Sequence, residues 1–454
     1  MPWPTKDSKD AMAETLTTAD APVTDPPERR SRLGRLLTRG EPRPVPMIGR
    51  RNITLAWLVF VVAVFLVLRL PSSVILAGLL PAVVIARNGL RFPRREAVPL
   101  LVFMLVALLT ASFTWLTIGG APLVNNATVM AVMIALVLAI TCSTVTQQAL
   151  RFLMNGIQAA LWICLIIAIF EVVTGMKVLP MIYPDANTAG AIANNRFIVA
   201  AFFPNFNDFS VAMALFGMIL VAQLLIGTKV HPLLKIARIA AYLAAWFFII
   251  VIGSRGALLA LFLGTLLVAL TAARLTRRRL LSVPNMLVLV LSGIAVALFL
   301  MSTPFVQDNS TMKRNEIVNN ILVMLGEQSA HLWGGWSTMV LYQTAAEERF
   351  GPLLMDPHNL LFEIVVMYGL PALVCYALVW AQLAYRGLWQ LRIAAGWREV
   401  SAVAISVMLP VIGIVPSQTL RYYWLFLFGA AAVAALQVQG GRRDQVLGSA
   451  PRRL

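Results

Sequence analysis

Leu259–Ala273 reads LALFLGTLLVALTAA, and Asn285–Ser302 reads NMLVLVLSGIAVALFLMS. These two runs decide the fold. Neither alternates apolar with polar side chains. A bilayer core holds no water to satisfy backbone N–H and C=O groups, so only helices and closed barrels cross it. Barrel strands are segments of roughly 10 residues with alternating hydrophobicity. Unbroken apolar runs of this kind therefore predict helices. Working outward, the same texture recurs at about 53–69, 72–87, 97–118, 122–142, 155–175, 207–227, 236–253, 255–273, 284–302, 358–384, 400–416 and 422–438. The expectation is an all-α, polytopic transmembrane helical bundle of about twelve helices. Several segments are short for a full span, so tilt or shifted boundaries are expected.

Composition agrees. Hydrophobic residues make up 59% of the 454 and charged residues 13%; a soluble domain carries roughly 25% charged residues. The net charge of +17 would point to nucleic acid in a soluble chain. Here it is concentrated in the tails and short loops, where the positive-inside rule and anionic headgroups account for it. With residues 1–51 placed in the cytoplasm, the inner loops and tails hold 29 of the 37 Lys and Arg residues. The other 8 are Arg69, Lys177, Arg196, Arg255, Lys313, Arg314, Arg349 and Arg421. This split places both termini inside and leaves a minority of basic side chains on the outer face.

Three regions follow. Residues 1–51 form a basic cytoplasmic tail, without an apolar leader core and with a composition expected to be disordered. Residues 52–438 form the membrane domain. Residues 439–454 form a short basic cytoplasmic tail. Two outer loops are long: 176–206, and 303–357 between helices nine and ten. The second holds an amphipathic stretch at 312–325, suited to lie on the membrane or cover a cavity, and is long enough to be functional. The three cysteines, Cys142, Cys164 and Cys375, lie inside apolar runs with no ligand spacing and are expected to pack.

The chemistry-bearing residues cluster at expected outer helix ends. His358 stands in Asp356-Pro357-His358-Asn359; Asp356 fits an N-cap and Pro357 an early helix position, so His358 is expected to project from a helix start. An imidazole there has the pKa class for proton transfer, or it can contact a lipid headgroup. Glu363 lies five residues on. Arg255 sits in the turn Gly253-Ser254-Arg255-Gly256, and Arg196 precedes Phe203-Pro204-Asn205-Phe206-Asn207-Asp208. A guanidinium fork matches phosphate oxygens. Each arginine could equally snorkel to lipid phosphate or pair with Asp208 or Glu171. Arg314 and Arg421 are weaker members of the set. Asn205 and Asn207 could bind sugar hydroxyls or cap helix six. His331 falls in a loop context and receives no role. The first outer loop, Leu70–Ser73, has no acidic pair, and no Gly-Lys-Ser/Thr phosphate loop occurs. Neither a metal nor another cofactor is expected.

Four pieces in order resemble the O-antigen ligase and polymerase family of bacterial membrane proteins. They are Arg196 with its following Phe-Phe-Pro-Asn-Phe-Asn-Asp-Phe; Gly253-Ser254-Arg255-Gly256; Lys313-Arg314 through Trp333-Gly334-Gly335-Trp336; and Pro357-His358-Asn359 through Gly369-Leu370-Pro371. The resemblance covers about residues 190–437. It implies an inner-membrane enzyme that moves a glycan from a polyprenyl-diphosphate carrier to an acceptor sugar hydroxyl on the outer face. Its partners would be that donor, a glycan or glycolipid acceptor and membrane lipids, with no nucleic acid. The expected catalytic set is His358, Arg255 and Arg196. The expected substrate-binding set is Arg314, Arg421, Asn205, Asn207, Asn359 and Glu363. Transfer would be metal-independent and inverting. Polymerase and ligase stay open. The competing readings are a polyprenyl-lipid or polysaccharide transporter, which predicts ionisable residues deep in several helices, and a non-catalytic partner of an assembly complex.

Overall fold

The computed structural model describes residues 50–68, 70, 73–88, 93–118, 121–142, 146–176, 178, 199–203, 206–227, 230–276, 309–351, 357, 359–389, 391, 395–414 and 423–448. Among them, every regular element is a helix. In chain order these are α1 (Arg50–Val67), α2 (Ser73–Asn88), α3 (Val98–Ile118), α4 (Ala121–Thr141), α5 (Thr146–Thr174), α6 (Phe206–Ile226), α7 (Pro232–Ile252) and α8 (Arg255–Thr276). Then follow α9 (Asn309–Glu327), α10 (Ser329–Gly334), α11 (Met339–Phe350), α12 (Leu360–Gln382) with a π-helical extension (Leu383–Trp389), α13 (Trp397–Ile412) and α14 (Trp424–Gly448). The expected segment 284–302 and most of the N-terminal tail lie outside the described residues; each other expected apolar segment falls on a helix.

Among the described residues, five helices are long and apolar enough to cross a membrane: Thr146–Thr174, Phe206–Ile226, Pro232–Ile252, Arg255–Leu275 and Leu360–Leu388. Their surroundings agree with lipid. On α3, Val102, Leu105, Leu109, Phe113 and Leu116 form an exposed apolar stripe at helical spacing. On α7, Ile236, Ile239, Leu243, Phe247 and Ile250 do the same. Water would not tolerate contiguous apolar faces of this size. By contrast, α6 is buried on nearly every face, so it is the central helix of the bundle. Small residues let its neighbours close on it: a Cβ on Gly217 would land on Leu261 of α8, and one on Gly264 would land on Met218. Close backbone approach through glycine is how apolar helices associate where no hydrophobic force separates helix from lipid. Near the end of α6, Gln223 and Gln158 of α5 exchange amide hydrogen bonds of 3.1 and 2.7 Å, so each satisfies the other.

Within the segment 303–357, expected to be an outer loop, the described residues 309–351 hold more helix than expected. The amphipathic stretch forms α9 and buries Ile317, Ile321, Met324 and Leu325 along one face. Two further helices, α10 and α11, follow it. A bidentate pair from Arg349 to Glu327 (3.1 and 3.0 Å) joins α11 to the end of α9.

Candidate active site at one end of the bundle

Short connections set the direction of α6, α7 and α8. Only residues 227–231 separate α6 from α7, and only Gly253 and Ser254 separate α7 from α8. Consecutive helices joined this tightly run antiparallel. The starts of α6 and α8 therefore share one end. Polar contacts then fix the remaining helices. Arg274, in the last turn of α8, donates to the Leu391 carbonyl (3.1 Å) between α12 and α13. Arg398 at the start of α13 donates to Asn155 near the start of α5 (3.0 Å), and Gln382 near the end of α12 donates to the Glu96 carbonyl (2.8 Å) ahead of α3. All these contacts lie at the far end. The starts of α6, α8 and α12 and the ends of α5 and α13 consequently meet at the other, hereafter the site end.

At the site end, Gly253 terminates α7 in the left-handed region (φ 73°, ψ 28°) and donates to the carbonyls of Ile249 and Ile250. Glycine holds this geometry without the Cβ penalty. The Ser254 carbonyl accepts from Leu258 (2.9 Å), so Ser254 is the entry residue of α8 and Arg255 its first helical residue. Arg255 is half-buried. Arg314, near the start of α9, donates to the Ile414 carbonyl just beyond α13 (3.4 Å). That contact brings it beside the connection carrying Arg421, which itself lies outside the described residues.

Three carboxylates are buried here: Glu171 at the end of α5, and Asp208 and Glu363 in the first turns of α6 and α12. Acidic groups in a first turn gain from the positive helix end. They are the acidic residues of the five long apolar helices, and none lies mid-helix. From the sequence, Glu171 is a candidate partner for an arginine. Its carboxylate accepts backbone N–H bonds from Val178 (3.3 Å), Ala200 (3.4 Å) and Ala201 (3.3 Å). It thus ties both flanks of the α5–α6 connection, the stretch that carries Arg196. No residue pattern announces a backbone donor, so the sequence could not reveal this role.

The start of α12 differs from expectation. Asn359, not Asp356, is the N-cap (φ −155°, ψ 119°), and its side-chain oxygen accepts from Leu361 (2.9 Å). Pro357 precedes the helix instead of opening it. Asn outranks most residues as a cap because its short amide reaches the free N–H groups of the first turn. Asn207 likewise sits inside the first turn of α6, not at its cap position. Arg196, Asn205, His358 and Arg421 lie outside the described residues. The structure therefore gathers Arg255, Arg314, Asn207, Asn359 and Glu363 at one end.

A further feature was not foreseen. Gly369 breaks α12 (φ 79°, ψ 176°), and Pro371 lacks the N–H that the Met367 carbonyl would accept. The α10–α11 connection fills the gap: Trp336 donates to the Val366 carbonyl (2.7 Å) and Ser337 to the Met367 carbonyl (2.8 Å). Gly335, at φ 66°, lies so close that a Cβ would strike the Met367 and Tyr368 backbone, and one on Gly369 would strike the Trp333 carbonyl. Trp333-Gly334-Gly335-Trp336 and Gly369-Leu370-Pro371 are thus two halves of one joint. Ser337 also bonds the Thr110 carbonyl of α3 (3.4 Å).

Residues 240–377 match the family model described as O-Antigen ligase. This segment belongs to the O-antigen ligase family. It runs from α7 to the last third of α12, and so holds the Arg255 turn, Arg314, the Trp333–Trp336 joint and the Asn359 cap with Glu363. No curated protein matches the chain. The protein is thus a helical membrane protein whose O-antigen ligase domain contributes one arginine-bearing helix start and one carboxylate-bearing helix start to the same end.

Proposed function

We propose that this protein is a membrane glycosyltransferase that moves a glycan from a polyprenyl-diphosphate carrier to an acceptor sugar hydroxyl at the outer face of the bacterial inner membrane. One observation carries the reading: the matched segment supplies both Arg255 and the Glu363 helix, and these elements start at the same end of the bundle. Arg196 and Arg255, with Arg314 and Arg421, hold the diphosphate, because planar guanidinium forks match its oxygens. His358, one residue ahead of the Asn359 cap, takes the proton from the acceptor hydroxyl. The freed oxygen bonds to the anomeric carbon as the bond from that carbon to the diphosphate oxygen breaks. Polyprenyl diphosphate leaves with the electron pair, and the configuration inverts. Asn205, Asn207, Asn359 and Glu363 border the sugars. No metal enters the scheme; the arginines neutralise the leaving group. Among the described residues, the five long apolar helices carry their acidic side chains near one end and none mid-helix, which favours chemistry at that end over ion-coupled transport.

The test is transfer by purified protein from a polyprenyl-diphosphate oligosaccharide, with chelator present. A positioned base contributes about 10²–10⁴-fold, and His358→Ala should lose that factor. Arg255→Ala should lose about 10²–10³-fold, as for one preorganised charge-stabilising donor. Longer lipid-linked chains identify a polymerase; transfer to an added acceptor identifies a ligase. Full activity in His358→Ala would exclude this mechanism.

A further inference from the structure

His331 sits on α10 and is held on three sides. Its Nδ1 lies 2.9 Å from the Gly335 carbonyl oxygen, and its own carbonyl accepts from the Gly335 N–H at 2.8 Å. Its ring stacks on Trp336, with centroids 4.2 Å apart and planes 9° from parallel. Trp336 is buried and packs edge-on against the fully buried Tyr342. A carbonyl oxygen only accepts hydrogen bonds, so Nδ1 carries the proton. In the neutral ring, Nε2 is then an open acceptor with a fixed direction. No described residue bonds to Nε2, and the ring is only half-buried. The platform is rigid, since Trp336 and Ser337 are bonded into the break of α12. The same helix starts at the Asn359 cap, about 15 Å from the Gly369 break along α12 at roughly 1.5 Å per residue.

We infer that His331 is an acceptor-binding residue whose Nε2 accepts a hydrogen bond from a sugar hydroxyl of the substrate. A histidine serving only to pack needs neither a fixed tautomer nor an open second nitrogen. Preorganising an acceptor through its other ring nitrogen is the device by which proteins aim imidazoles at ligands. The inference rests on the glycosyl-transfer reading above.

Two substitutions separate binding from structure. In His331→Asn the shorter amide still donates to the Gly335 carbonyl, but nothing replaces Nε2. In His331→Gln an amide oxygen reaches toward the Nε2 position while the Gly335 contact is lost. Steady-state transfer is measured with the polyprenyl-diphosphate oligosaccharide at saturation and the acceptor titrated. Losing one hydrogen bond raises the acceptor KM roughly 3–10-fold, with kcat within about 2-fold for an interaction shared by ground and transition states. We expect that rise in His331→Asn and a smaller one in His331→Gln. Wild-type KM in His331→Asn overturns the inference, as does a loss in His331→Gln larger than in His331→Asn, which would mark the Gly335 contact as the important one. If wild-type protein itself transfers nothing, the glycosyl-transfer reading fails and the inference falls with it, a result distinct from either variant outcome.

Discussion

Gly369 and Gly335 carry the joint between the outer loop and α12. Gly335 (φ 66°, ψ −173°) and Gly369 (φ 79°, ψ 176°) occupy a backbone region open essentially to glycine alone. Each also faces backbone where a Cβ would go. Gly334, their neighbour, has open space around it. Gly335→Ala and Gly369→Ala should therefore each lose at least about 1–3 kcal/mol, and Gly334→Ala should change stability little. Thermal unfolding in detergent checks the order; limited proteolysis should show residues 329–339 freed in the first two variants only. Equal behaviour of all three would contradict the joint. The sequence displayed both motifs but not their union. Their contact lies between backbone atoms some thirty residues apart, and backbone atoms leave no mark on residue type. Pro371 did carry a signal, because a proline inside a helix leaves a carbonyl that something must satisfy.

Among the elements, α5 and α12 show how helix ends place the site. The start of α12 depends on the Asn359 amide. Asn359→Ala should cost about 1 kcal/mol, as for other lost caps, while Asn359→Ser or Asn359→Asp should retain most of it. If Asn359 also touches sugar, Asn359→Ser will keep the melting temperature yet lose transfer, so measuring both separates the roles. The end of α5 works through Glu171, a buried acceptor of three backbone N–H groups. Removing it strands those donors at about 1–3 kcal/mol for each buried group left unsatisfied. Glu171→Ala should make the 176–201 loop more sensitive to protease and lower activity; Glu171→Gln, which keeps one acceptor oxygen, should sit between. An unchanged cleavage pattern in Glu171→Ala would remove the clasp from the account. Among the described residues the helices were legible, since long apolar runs leave few alternatives in lipid. Helix starts were less so: Asp356 and Asn359 are both good caps by type, and only the tertiary position of Pro357 and Leu360 chooses between them.

At the scale of the whole molecule, the charges of the described residues bear on orientation. Arg94, Arg95, Arg151, Lys235, Arg274, Arg386 and Arg398 cluster on helix ends opposite Arg255, Glu363 and Arg314. By the positive-inside rule the far end is expected in the cytoplasm and the site end outside. This orientation is open to direct measurement. Arg95 and Arg349 have well-exposed side chains, at 83% and 56%, and lie at opposite ends. In a background with Cys142, Cys164 and Cys375 replaced, Arg349→Cys should react with a membrane-impermeant maleimide on intact cells freed of their outer layers. Arg95→Cys should react only after the membrane is opened. The reverse pattern would put the arginines and the Asn359–Glu363 helix start in the cytoplasm, where an outward-facing lipid-linked donor could not reach them. Labelling of both residues from one side would break the end-to-end argument built on the Arg274, Gln382 and Arg398 contacts. Because that argument uses polar contacts and the charge rule uses loop composition, agreement of the labelling with both would be agreement between independent physical constraints.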